Sequence, residues 1–504
     1  MPEPLQLLEP PTRVERAISK SKYISGLQCH KLLWHQYNAK ELIPPVDESQ
    51  QAVFNQGHEV GRRARQLYPG GVLVERERWD MDGLLEDTAR ALAASSPHQG
   101  GAIYEAAFLG GGVYAQVDIL VPTGDGHWDI VEVKSSTSVK SVYLDDVAVQ
   151  RFAVESSGTP VRNCYVVHID REYVRSGDVD NHKLFRAVDV TSEVADRLPD
   201  VPRRIEALAS VIRQSESPEI AIGPHCSKPY DCPLKPVCWS ALPEGHLTKV
   251  VRGADRRAIQ VAADESQNVH VAEPQVRGFL DGLTYPLFFL DFETFGTAVP
   301  LLDGTRPYQQ VPFQFSLHIR REPGGAMTHH GFLADDASDP RPQLLQWMHH
   351  YLESAGSIVV YFAGFETGRM AELARDFPAH APWIEQILAR VVDLHAPFKA
   401  FDVYHPLQHG STSIKAVLPA LTGTGYEGMA IGDGATASQS FLRMAFGPAP
   451  GHEPPVDVAK VRQDLEAYCA LDTLAMVRIL DALEMALGGL ETQAALRGAR
   501  TRIS

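Results

Sequence analysis

Residues Trp128-Asp129-Ile130-Val131-Glu132-Val133-Lys134 set branched apolar side chains against Glu132 and Lys134. Side chains alternate along a strand, so the pattern predicts a β-strand that holds the carboxylate and the ammonium on one face. Tyr114 to Val121 reads as a second strand, and Thr123-Gly124-Asp125-Gly126 between the two carries turn chemistry. A hairpin folded symmetrically about Asp125 puts Asp118 opposite Glu132. Val53, Gly57, Val60, Ala64 and Leu67 follow helical spacing upstream, and Leu144 to Ser156 reads as an amphipathic helix bearing Gln150. Val161 to Ile169 is a further strand. The order helix, hairpin, helix, strand implies a mixed α/β sheet.

From about Leu242 to Tyr285 the periodicity weakens and polar residues dominate, which predicts a linker. A new pattern then starts sharply at Pro286-Leu287-Phe288-Phe289-Leu290-Asp291-Phe292-Glu293. An apolar run that ends in acid, aromatic, acid predicts a fully buried strand with two carboxylates on one face at its end. Ser357 to Phe362 and Val391 to Leu394 read as further strands, with Gly364-Phe365-Glu366 at a helix N-terminus. Asp464 to Leu483 is a clear helix in which Tyr468 and Asp472, four apart, share a face. The predicted division is a lead-in over 1–17, a first domain over 18–241, a linker over 242–285 and a second domain over 286–504, both domains α/β. A chain of 504 residues is long enough for each to bury its own core.

Composition narrows the setting. The chain has 44% hydrophobic and 22% charged residues, and no apolar run reaches the roughly 20 residues that cross a bilayer. The N-terminus shows no basic stretch followed by an apolar one, so a cytoplasmic protein without a membrane partner is expected. A net charge of −16 disfavours broad adhesion to nucleic acid but leaves room for a local basic track, and the lysines between Ile18 and Trp34 offer one. Six cysteines are too sparse for a disulfide scaffold. Cys164 and Cys469 read as small packing residues. Cys226, Cys232 and Cys238 share one Pro-rich loop, and soft thiolates in such a loop suit zinc or an iron–sulfur cluster. Cys29 is the best fourth ligand, with His30 and His225 as alternatives.

Two carboxylates facing each other across a ladder repel unless a cation sits between them. For Asp118 and Glu132 a divalent metal is the natural cation, because hard ions take carboxylate oxygens; the alternative is a surface hairpin with a Glu132–Lys134 salt bridge. His58, Arg62 and Arg65 are spaced to share a helix face, which suits metal plus phosphate or, equally, a solvated surface. Asp291 and Glu293, at the end of a buried strand, again call for a cation.

Asp118, Glu132-Val133-Lys134, the upstream His58 and the downstream Gln150 together resemble the PD-(D/E)XK nuclease core of the RecB type. Cys29 before this core and Cys226, Cys232 and Cys238 after it resemble its iron–sulfur subclass, which includes Cas-type nucleases of CRISPR adaptation. Five residues separate Cys226 from Cys232 where the subclass usually has two, and Val154 stands where many members carry Tyr. The second half resembles the DnaQ-like, or DEDD, exonucleases of the RNase H fold. Asp291 and Glu293 match the first motif, and Tyr468-Cys469-Ala470-Leu471-Asp472 matches the last. Glu366 after Phe365 stands where the middle motif has Asp, with Asp393 as the alternative. Pro312 to His318 and Gly410 to Lys415 look like motifs of a bacterial family that joins the two nuclease types, over roughly residues 18–240 and 285–485.

The resemblance implies a metal-dependent nuclease with two centres. In the first, Asp118, Glu132, the Val133 carbonyl and His58 would hold Mg²⁺ or Mn²⁺, with Lys134 orienting or activating the attacking water and Gln150 completing the site. In the second, Asp291, Glu293, Glu366 and Asp472 would cradle two metals about 4 Å apart, with Tyr468 positioning the water. The four cysteines would hold a [4Fe–4S] cluster, with Zn²⁺ as the alternative. The expected partner is nucleic acid, DNA ahead of RNA, single-stranded or at duplex ends, in repair or defence. Two other readings stay open: a nucleic-acid-binding or assembly module with spent sites, and a redox or iron sensor built on the cysteines.

Overall fold

The structure, a computed structural model, describes residues 17–77, 79–95, 101–240, 253–447 and 456–501. The lead-in up to Arg16 and the start of the expected linker lie outside them. The chain forms two compact α/β units. The first comprises Met1–Leu242 together with Thr297–Tyr308, and the second comprises Pro243–Gly296 and Gln309–Ser504. None of the described helices is long and apolar enough to cross a membrane.

Seven strands form the sheet of the first unit: β1 (Ile18–Ser19), β2 (Val72–Leu73), β3 (Ile103–Gly110), β4 (Val113–Pro122), β5 (Trp128–Lys134), β6 (Val161–Ile169) and β7 (Phe185–Asp189). Their order is β2-β3-β4-β5-β6-β7, with β1 added alongside β4. The β4–β5 ladder sets Ile119 opposite Val131 and Pro122 opposite Trp128, the register symmetric about Asp125. Gly124 and Gly126 make the turn, with φ of 84° and 92°, a region closed to most side chains. β5 and β6 run parallel, joined by the helix Ser141–Ser156, whose Val147, Val149, Ala153 and Val154 are fully buried. Val154 is thus core, and Cys164 on β6 is buried packing as expected. In the helix Glu48–Ala64, Val60 and Ala64 are buried as the spacing predicts, but Val53 in the first half is exposed.

The sequence pattern puts Thr297–Tyr308 in the second domain; the structure puts it in the first unit. Ala298 and Val299 are buried in one apolar cluster with Val60 and Ala64. Gln56 accepts from the Ala298 amide at 3.0 Å, Arg175 donates to the carbonyls of Pro300 and Leu301, and Tyr308 donates to the Ser135 carbonyl at 2.6 Å. A fragment that ends at Leu242 lacks these contacts. It is expected to be less stable than the same unit in the whole chain by about 3 kcal/mol, the scale of two buried apolar side chains, as measured by urea unfolding.

The second unit is built on a five-stranded sheet in the order β11-β10-β9-β12-β13. β8 (His270–Val271) precedes it in the chain and pairs with β14 (Val403–Tyr404). The sheet strands are β9 (Leu287–Phe295), β10 (Val311–Arg320), β11 (Met327–Leu333), β12 (Ser357–Val360) and β13 (Val391–Asp393). β9 is central, antiparallel to β10 and parallel to β12, which is why it reads as an unbroken apolar run. Where a linker is expected, the helices Ala254–Ser266 and Glu273–Asp281 form part of this unit. Their faint pattern has a simple source: each buries little apolar surface, chiefly Ala263 in one and Val276 in the other. The last helix, Val458–Thr501, exceeds the expected Asp464–Leu483 and packs Leu465, Ala475, Met476, Ile479 and Leu480 inward.

Candidate active sites

In the first unit, β5 and the helix Ser141–Ser156 bring Glu132, Lys134 and Gln150 together. The Glu132 side chain is 2% exposed. Lys134 Nζ lies 2.6 Å from Glu132 Oε1 and 2.6 Å from Asp146 Oδ2, and Gln150 Nε2 donates to Glu132 Oε2 at 2.8 Å. Asp118 accepts from the Val133 amide at 2.7 Å, which ties β4 to β5 beside Glu132. Two members of this group carry no sequence signature. Lys20, the first residue of the helix Lys20–Gln28, places Nζ 3.2 Å from both Glu132 oxygens. Asp146, one turn before Gln150, shares the Lys134 ammonium. Glu105 is a third omission. It falls between the β3–β4 pairs Tyr104–Ile119 and Ala106–Val117, hence abreast of Asp118, and its φ of 58° is strained for a side chain other than glycine. Arg65 pairs with it at 2.7 Å.

The charges sort themselves by environment. Burial pushes the Glu132 carboxyl up, but the ammoniums of Lys134 and Lys20 and the hydrogen bonds from Lys134 and Gln150 outweigh it and hold it well below the usual range. Asp118, with no cation so close, is pushed up to about 7 by burial and by Glu132, against Lys20 and Lys134. Burial alone would lower Lys134, but Asp146, Glu132 and Asp118 raise it well above normal and keep it an ammonium. His58 is exposed on the helix Glu48–Ala64, while Arg62 pairs with Glu59 and Arg65 with Glu105. Among the described residues, Asp118, Glu132 and His58 do not gather their ligand atoms within 4.8 Å of one another.

Asp291, Glu293 and Cys469 do gather theirs within 4.8 Å. Asp291 and Glu293 sit on β9 just past Phe289, where its pairing with β12 stops, Glu366 in the first turn of the helix Ala363–Asp376, and Asp472 with Tyr468 on the last helix. Glu293, Glu366 and Asp472 are buried. Burial, then the carboxylates of Asp472, Glu293 and Glu366, raise Asp291 well above the usual range. Burial and Asp472 do the same to Glu293, although Lys415 opposes them. Burial pushes Glu366 up to about 8 and Asp472 up to about 6. The Tyr426 hydroxyl donates to Asp472 Oδ1 at 2.6 Å, and Lys415 Nζ lies 5.7 Å from the Tyr426 ring and 5.5 Å from the Tyr468 ring. Tyr426 carries no sequence signal, whereas Lys415 closes the motif that begins at Gly410.

Whether these residues suit a divalent cation can be judged from their oxygens. Glu366 Oε2 is buried without a hydrogen-bond partner, and converging carboxylates keep one another from ionising. A hard cation answers both problems. Asp393 is committed elsewhere: its Oδ1 accepts from the amides of Phe362 and His395, each at 3.0 Å. Glu366 is therefore the better middle ligand. Cys469, expected to be packing only, is fully buried with Sγ 4.0 Å from Asp291 Oδ2. Burial and the neighbouring acids raise its thiol well above normal, so it faces the carboxylates as a neutral group.

The third group is the thiols. Cys29 joins the helices Lys20–Gln28 and His30–Asn38, and it packs with Cys232, Cys238, Leu32 and Leu234 in one small cluster. Gln28 Nε2 donates to the carbonyls of His225 and Tyr230 at 2.8 and 2.7 Å, which pins the later loop to the first helix. Burial, then Cys29, Cys226 and Cys238, push the Cys232 thiol up, which places Cys232 in the fields of the other three. No three of them lie within 4.8 Å of one another.

Comparison with curated proteins gave no match. A family model described as a domain of unknown function, DUF2779, matches residues 288–413. That stretch takes in Asp291, Glu293 and Glu366 and stops just before Lys415, so the shared part is the sheet end that gathers the carboxylates, without Tyr426, Tyr468 or Asp472.

Proposed function

We propose that this protein is a metal-dependent nuclease that hydrolyses phosphodiester bonds at two centres, a first of PD-(D/E)XK type and a second of DnaQ-like type. The observation that carries the reading is that Asp291 and Glu293 on the central strand gather ligand atoms within 4.8 Å, in the fields of Asp472 and Glu366, with Glu366 Oε2 buried and unpartnered. Mg²⁺ or Mn²⁺ bound there would lower the pKa of water from about 15.7 towards 7 and neutralise phosphate oxygens. The four carboxylates would hold it. Burial, followed by the field of Asp472, keeps Tyr468 protonated, so its hydroxyl can donate to and orient water. Tyr426 fixes Asp472 by its hydrogen bond. In the first centre Asp118 and Glu132 would be the metal ligands, with the Val133 carbonyl and His58 as further donors, while Lys134 and Gln150 orient Glu132. Cys29, Cys226, Cys232 and Cys238 would hold a [4Fe–4S] cluster.

The test uses anaerobically purified full-length protein with Mg²⁺ or Mn²⁺ and single-stranded DNA, duplex DNA and RNA labelled at either end. Glu132→Gln and Asp291→Asn are each expected to remove a distinguishable set of products. The Glu132 variant should lose about a hundredfold or more of its set, the scale for a lost transition-state contact. Unchanged product patterns in both variants would overturn the assignment.

A further inference from the structure

We propose that Lys20 is a phosphate-binding residue of the first centre, a second cationic arm beside Lys134; this rests on the nuclease reading above. The two lysines are held differently. Lys134 is locked between two carboxylates, 2.6 Å from each of Glu132 and Asp146. Lys20 touches Glu132 only, at 3.2 Å from both oxygens, longer than the roughly 2.7–2.9 Å of a well-formed charged hydrogen bond. It is the weaker contact and the first to be given up. Its side chain is 22% exposed, against 2% for the carboxylate it contacts.

The backbone below it is fixed, and among the described residues Glu132 is the one its ammonium contacts by hydrogen bond. β1 pairs Ile18 with Val113 and Ser19 with Tyr114, Ile18 donates to the Gly112 carbonyl at 3.0 Å, and the Ser19 side chain caps the helix that Lys20 begins. A lysine is a compact charge on a flexible four-carbon stem. From this anchor it can exchange one anion for another without moving the fold. Among the described residues, Lys20 and Lys134 are the two cations in contact with Glu132. Lys20, the longer and singly held of the two contacts, would be the arm that turns to an incoming phosphate. Lys134 remains tied to Asp146.

Fluorescence anisotropy of a labelled single-stranded oligonucleotide with the full chain, in Ca²⁺ to separate binding from turnover, tests this. Lys20→Met is expected to weaken binding about tenfold and to reduce the slope of log Kd against log salt by about one, whereas Lys20→Arg keeps both. Lys20→Gln, which can still donate to Glu132 but carries no charge, should behave as Lys20→Met, and it serves if the methionine variant does not fold. Exposed Lys40→Met is the control for charge alone and should change binding less than twofold. If wild type binds and cleaves while both neutral variants bind as it does, Lys20 is only a counter-charge for Glu132 and the proposal falls alone. If wild type neither binds nor cleaves any nucleic acid, the nuclease reading falls and takes this proposal with it.

Discussion

Asp291→Asn is expected to lower hydrolysis at the second centre about a hundred- to a thousandfold, the scale on which one lost electrostatic contact reduces kcat, and at the same time to stabilise the metal-free protein at neutral and higher pH. The two effects share a cause. Asp291 and Glu293 are raised by burial and mutual repulsion, Glu366 is pushed up to about 8 and Asp472 to about 6. In the unfolded chain such groups titrate near pH 4. The folded state therefore keeps protons that the unfolded state releases. The contribution of these carboxyls to stability is complete below about pH 4 and is lost as pH rises through their folded-state values. In EDTA the melting temperature should fall between about pH 5 and 8, and Mn²⁺ should largely abolish that fall. Asp291→Asn removes one repelling group and should flatten the slope, adding about 2 kcal/mol near pH 8, or roughly 4–8 °C. Scanning fluorimetry across this pH range reads all three. Parallel slopes for wild type and variant would sink the idea that these carboxyls strain one another.

What sequence reveals here depends on how local the cause is. The Trp128–Lys134 strand, its turn and the Asp118–Glu132 register are set by period-two alternation and two turn glycines, all within about 20 residues, and the structure has them as expected. Asp291 and Glu293 lie on one strand as expected, but β9 runs on to Phe295 rather than ending at them. Lys20 has no such support. It meets Glu132 across 112 positions, from a helix start that looks like any lysine-bearing surface turn. Asp146 lies on a helix whose apolar pattern explains its neighbours and says nothing of a polar contact to Lys134. Glu105 is aimed by a backbone with φ of 58° in the middle of a strand, which alternation does not foretell. Tyr426 reaches Asp472 across 46 positions from a loop without periodicity. Thr297–Tyr308 was misplaced because its Ala298 and Val299 give only a short apolar signal, with nothing to say which core receives them.

Cys232→Ser is the substitution expected to act most widely on the first unit. Cys29 and the loop from Cys226 to Cys238 are about 200 residues apart in the chain, and Gln28 ties the same two places through the carbonyls of His225 and Tyr230. A metal group shared by the four thiols would close that long loop, and structural metal sites contribute to folding directly. Its loss is expected to lower the melting temperature of the first unit by about 10 °C and to remove bound metal and any visible absorbance together. Tetrahedral zinc with Zn–S near 2.3 Å brings sulfurs to about 3.8 Å from one another, but no three of these thiols lie within 4.8 Å. On the cluster reading proposed above, elemental analysis of anaerobically purified protein should find iron and not zinc. The consequence for catalysis runs through one nine-residue helix, Lys20–Gln28. Lys20 at its start faces Glu132, and Cys29 follows its end, so releasing Cys29 from its group loosens the arm at the active centre. Cys232→Ser should therefore lose hydrolysis by the first centre along with its metal, and a variant that keeps full Glu132-dependent activity without metal would separate the cysteines from catalysis.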